Sequence, residues 1–85
     1  LITSVPIGYK PNEILYIADE DIFETRNEED DTLSIVDATT NTLINTVNVG
    51  RNPTHFNYVS ATDQLIVCNR DDDTVSILDV RFFRP

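Results

Sequence analysis

His55 is the only histidine of the 85 residues. Arg51 and Asn52 stand just before it, and Arg70, Asp71 and Asp72 follow further along. Imidazole titrates near neutrality, so a histidine with arginines and carboxylates is a combination that acid–base chemistry or a haem pocket could use. A lone histidine at a strand start is more often structural. Two carboxylate-rich runs, "NEEDDT" (27–32) and "NRDDDT" (69–74), crowd enough oxygens to raise calcium. An EF-hand-like loop needs a glycine for its sharp turn and a distant bidentate glutamate, and neither run has them. Folding of Asp31 or Asp73 back on the turn backbone is the simpler use of these acids. No Gly-rich phosphate loop, paired cysteine ligands, basic patch or grouped Ser–His–Asp set is visible. No catalytic residue, metal ligand set or cofactor is therefore assigned.

The formal net charge is −9, which argues against binding nucleic acid or an anionic lipid surface. Ten of the fifteen acids lie between Glu13 and Asp37. A solvated loop is the plain reading of such a run; a surface for a cationic partner is the sharper one. No apolar run approaches a membrane span, so membrane insertion is not expected. The single cysteine, Cys68, excludes an internal disulfide. Its neighbours Ile66 and Val67 predict a strand thiol packed as a small hydrophobe. The chain begins at Leu1 without a methionine, which predicts a processed or truncated product.

The elements that must position these residues are short strands. No long segment shows apolar residues at helical spacing. Thr, Val, Ile and Asn dominate, and these favour strands and turns. Strands are predicted at 1–7, 32–37, 43–49, 54–60, 64–69 and 74–79, with "DATTNT" (37–42) as a tight hairpin. Sliding the chain on itself by 42 residues sets "LITSVPIGYKP" on "LINTVNVGRNP" and "DDTLSIVD" on "DDTVSILD". A period of this length holding about four short strands reads as a β-propeller blade.

"SIVDATTNT", "VNVGRNP", "FNYVSATDQ" and "LIVCNRDDDTVSILD" together resemble the YVTN-type propeller repeat, which occurs in surface-layer proteins and in propeller domains of periplasmic enzymes. The resemblance covers nearly the whole chain. It departs at "SATDQ" (60–64), where the family usually carries Pro-Asp-Gly. It implies an all-β fold of antiparallel blades, with an outer strand plus a first, atypical blade at 1–41 and a second, incomplete blade at 42–85. Residues 54–60 would form the innermost strand, followed outward by 64–69 and 74–79. Residues 43–49 would be the outer strand of the preceding blade, and residues 1–7 an outer strand whose own blade is absent.

The resemblance also implies where ligands would sit. The connection entering each inner strand shares one face with the turn between the second and third strands, around the channel mouth. Lys10, Arg51, Asn52, His55, Arg70, Asp71 and Asp72 are the binding residues expected there. Gly8, Pro11, Asp37, Gly50, Pro53 and Asp79 are expected to be structural. The glycines would supply positive φ, the prolines the entry angle, and the aspartates hairpin caps. The function implied is a binding or scaffold module, outside the cytoplasm. The alternatives are a fragment of a periplasmic propeller enzyme (amine dehydrogenase, haem-d1 or lactonase-like) and a surface-layer component. The partners expected are further blades of a longer chain or further copies of this one.

One stretch admits two registers. The unbroken shift makes 14–18 an inner strand and 22–26 its neighbour, and it places Glu24 where Ile66 sits. The other sets "LYIADED" on "LIVCNRD", and "LYIAD" nearly repeats the family's "LYVAN". The second register is preferred. It implies an inner strand lost between Pro11 and Asn12, and a loop enlarged to "DEDIFETRNEEDD". Separately, the chain stops at "RFFRP", where the outer strand of the second blade is expected to begin, which predicts Phe82 and Phe83 to be poorly covered unless another blade packs on them.

Overall fold

Runs of β-branched residues are broken at short intervals by Asp and Asn, and the backbone shows why. Lys10, Asp21, Asp31, Asn41, Asn52, Asp63 and Asp73 all take positive φ, between 50° and 58°. Asp and Asn tolerate this left-handed conformation better than most residues. Each of the seven immediately precedes a strand: β1 Pro11–Ile17, β2 Ile22–Asn27, β3 Thr32–Asp37, β4 Thr42–Asn48, β5 Pro53–Val59, β6 Gln64–Asn69 and β7 Thr74–Asp79. The computed structural model describes residues 1–84, and Pro85, the end of the expected 42–85 unit, lies outside them. The chain is all-β, with two antiparallel sheets ordered β1-β2-β3-β4 and β5-β6-β7.

The pairing decides the ambiguous register against the preferred one. β1 is an inner strand paired with β2 from Ile17↔Ile22 to Pro11↔Asn27. β5 and β6 repeat that ladder 42 residues later, from Val59↔Gln64 to Pro53↔Asn69. No strand is lost between Pro11 and Asn12. The supposed acidic loop is a turn, a strand and a second turn, so its carboxylates divide between opposite ends of the sheet. Residues 60–64 resolve in the same way. Ser60–Asp63 form the turn, with Asp63 at the left-handed position where the family carries glycine.

Residues 1–7 form no strand, contrary to expectation. Their 42-residue equivalent, β4, is ordered by pairing with β3, whereas among the described residues no strand pairs with residues 1–7. The segment instead lies along the first sheet, where Ile2, Val5 and Ile7 with Ile14, Phe23 and Val36 line an apolar hollow of about 430 Å³.

The core lies between the sheets. Ile17, Ile22, Leu33 and Ile35 of the first meet Leu65 and Val67 of the second, with Val80 and Phe83 completing the cluster. Each such side chain contributes about 1.5–3 kcal/mol by leaving water. Phe83 is 3% exposed because the 3₁₀ turn Val80–Phe82 folds the chain end back onto the core. Only Phe82, 75% exposed, fits the expectation of poor cover. Cys68 is exposed, not packed, because nothing covers its side of β6.

Candidate functional site

Gly8 and Gly50 do not have positive φ. They are glycines because a buried amide lies against them. A Cβ on Gly8 would stand 2.5 Å from Nδ2 of Asn27, and one on Gly50 2.6 Å from Cγ of Asn69. Asn27 Nδ2 donates to Ser34 Oγ (2.8 Å) and Thr32 Oγ1 (3.0 Å). Asn69 Nδ2 donates to Ser76 Oγ (2.7 Å) and Thr74 Oγ1 (3.3 Å). The recurring Gly, Asn, Thr and Ser thus form one polar knot per sheet, which locks the connection entering the inner strand to the third strand.

A second lock lies outside the first. The Tyr9 N–H donates to Asp30 Oδ2 (2.9 Å), and the equivalent Arg51 N–H donates to Asp72 Oδ2 (2.8 Å). Asp31 Oδ1 accepts from the Asn52 N–H (2.8 Å), so it serves the neighbouring connection and not its own turn. Lys10 Nζ pairs with Glu29 at 2.9 Å, and Arg51 Nε with Asp72 at 2.6 Å. The Glu29 carboxylate raises the Lys10 pKa, and the Arg51 amide and guanidinium lower that of Asp72. Of the residues expected to bind ligand, Lys10 is thus paired with Glu29, and Arg51 and Asp72 with each other. Asp71 gives its carbonyl to Arg51 Nη2 (3.3 Å) and its carboxylate to Arg70 (3.7 Å).

Asn52, His55 and Arg70 do come together. With Asn12, Arg26, Glu28, Pro53 and Thr54 they line a hollow of about 250 Å³ between the inner strands of the two sheets. Pro11 and Pro53 open those strands, and the register steps by one residue just after each. Asn12 Nδ2 donates to Glu28 Oε2 (2.9 Å), holding that carboxylate at the rim. Arg26 is 8% exposed, and its Nε has no hydrogen-bond partner among the described residues. A buried arginine nitrogen without a partner is unusual, because a desolvated charged donor is costly to leave unpaired. Arg26 and Glu28 were missed in the sequence because the preferred register put both in a loop. The unbroken register carries Arg26 to the end of β2, beside Asn27.

The opposite end of the sheets carries no expected binding residue. Asp37 Oδ1 accepts from the amides of Thr39 (2.8 Å) and Thr40 (3.4 Å), and Asp79 Oδ1 from that of Arg81 (3.1 Å). Both aspartates cap their turns as expected. Arg84 Nη1 donates to Asp37 at 2.7 Å and lowers its pKa. Among the described residues no three His, Cys, Asp or Glu side chains are grouped to hold a metal ion. No helix of the described residues is long and apolar enough to cross a membrane. No protein-family model matches the chain, and no curated protein matches it.

Proposed function

We propose that the two sheets are consecutive blades of a YVTN-like propeller, and that the chain is a binding or scaffold module whose loop face takes an anionic group. The observation that carries this reading is Arg26. In a chain of net charge −9, a buried arginine with an unpartnered Nε lines the inter-sheet hollow together with Arg70 and His55. A carboxylate or phosphate would satisfy that donor, and the planar guanidinium geometry suits both. The hollow is small, so the ligand is a compact anion or the acidic side chain of a partner protein. The repeated period, the four-strand order and the shared face of the two kinds of connection support the propeller reading.

Calorimetric titration with a panel of small carboxylates and inorganic phosphate tests the reading. A charge-assisted hydrogen bond contributes about 1.5–3 kcal/mol, so Arg26→Gln should weaken binding roughly tenfold to a hundredfold. Arg70→Ala, at an exposed position, should weaken it less without loss of fold. Absence of binding by every anion, or binding untouched by both substitutions, overturns the reading.

A further inference from the structure

The contact between the two sheets has a template property. The first sheet presents Leu15, Glu24, Leu33 and Ile35 to the second, and their 42-residue equivalents are Asn57, Ile66, Val75 and Ile77 on the outer face of the second sheet. Val75 is 54% exposed and Ile77 63%. Conversely, the second sheet presents Phe56, Tyr58, Leu65 and Val67 to the first. Their equivalents, Ile14, Tyr16, Phe23 and Thr25, lie on the outer face of the first sheet, where Ile14 and Tyr16 are more than half exposed. The outer face of the second sheet is therefore uncovered, that of the first is covered only in part, by residues 1–7, and each repeats one half of an interface the molecule already makes internally.

The edges match as well. β3 is covered by β4, whereas β7, its equivalent, has no fourth strand beside it among the described residues. Residues 1–7 are the equivalents of 43–49, carry no charged side chain, and belong to no sheet; Leu1 and Ile2 stand in solvent.

We infer that residues Leu1–Ile7 of one copy add to β7 of a second copy as its missing fourth strand, so that the outer face of one copy's second sheet packs on the outer face of the next copy's first sheet. The register follows from the internal one. Leu33↔Val47 becomes Val75↔Val5, Ser34↔Thr46 becomes Ser76↔Ser4, and Ile35↔Asn45 becomes Ile77↔Thr3. The added strand supplies main-chain hydrogen bonds to an open edge, as β-augmentation does in peptide recognition. Pro6 would stand opposite Thr74. A proline is tolerated there because the added strand is itself an edge whose far side faces solvent. The contact is head-to-tail, so copies close into a ring or continue as a chain. It does not depend on the anion site, which lies inside one copy.

Cross-linking of the whole chain tests the register. In a Cys68→Ser background, the single variants Val5→Cys and Val75→Cys are mixed and oxidised. The expected product is a disulfide heterodimer joining the two variants. Ser4→Cys with Val75→Cys is out of register by one residue, which points the two side chains to opposite faces, and should not cross-link. Light scattering of the unmodified chain should show a mass that is a multiple of the monomer and falls on dilution. Deletion of residues 1–7 should leave a monomer that keeps the β-sheet circular dichroism of the whole chain. A monomer at every concentration, or equal cross-linking of the two pairs, overturns the inference.

Discussion

Nearly the same sequence, "DTLSIVD" and "DTVSILD", makes β3 and β7, yet the two strands live in different surroundings. In β3 the residues Thr32–Val36 are all buried; in β7 the residues Thr74, Val75 and Ile77 are exposed. β2 and β6 differ in burial in the same sense, but also in polarity. β2 carries Glu24 and Arg26 into the space between the sheets, whereas β6 carries Ile66 and Cys68 at the equivalent positions, where less covers them. Strand formation is therefore a property of the repeat, and burial a property of the neighbours. The charged residues stand in the more buried copy.

The largest test of that contrast is Glu24. It is fully buried beside Leu15 and Ile35, and neither carboxyl oxygen has a partner among the described residues. Burial alone raises its pKa from 4.5 to about 8. Below pH 4.5 the folded and unfolded chains both hold the proton. Between pH 4.5 and 8 only the unfolded chain releases it, so stability falls by about 1.4 kcal/mol per pH unit. The full loss, roughly 5 kcal/mol, is reached above pH 8. Glu24→Ile, which copies the residue of the second sheet, should abolish this slope in denaturant titrations across that range. An unchanged slope would place the pH dependence elsewhere.

Next in size is the pair Ile35 and Ile77. Ile35→Ala should cost about 2–5 kcal/mol, as for a fully buried aliphatic side chain. Ile77→Ala should change the stability of the isolated copy by less than about 0.5 kcal/mol. Comparable costs in dilute solution would contradict the contrast in burial. A cost for Ile77→Ala that appears only at high concentration would sharpen it, by showing that a second copy covers β7.

The smallest difference concerns the polar knots. Asn27→Ala removes a fully bonded amide, whose Oδ1 also accepts from Thr25, and should cost about 1–3 kcal/mol. Asn69 has a buried Oδ1 without a partner among the described residues, so Asn69→Ala should cost less. Thermal unfolding of the two variants side by side reads the difference, and a larger loss from Asn69→Ala would reverse the ranking.

The all-β class, the 42-residue period, and β3–β7 to within a residue were legible in the sequence, because turn residues and β-branched runs recur there. β1 and β2 were not. The likeness of "LYIAD" to a family motif outweighed Asn27, and Glu24 looked wrong for a strand facing a core. A buried carboxyl is tolerated because it keeps its proton, which a sequence pattern does not display. The glycines misled in a similar way. Gly8 and Gly50 suggested positive φ, but they are small because an asparagine amide 19 residues further on must fit against them. Of the binding residues expected, Asn52, His55 and Arg70 meet in one hollow. Lys10, Arg51 and Asp72 stand in ion pairs outside that hollow, and opposite charges at fixed spacing can as readily staple two loops as hold a ligand.

The left-handed residue before every strand has a consequence for the unfolded chain. The whole sequence contains only two glycines, and neither sits at those positions. A glycine there would relieve the strain of positive φ but would widen the set of conformations lost on folding. By using Asp, Asn and Lys instead, the chain enters each turn from a narrower ensemble. Each hairpin then closes over a few residues, so that most of the order in this small protein can be established locally before the two sheets meet.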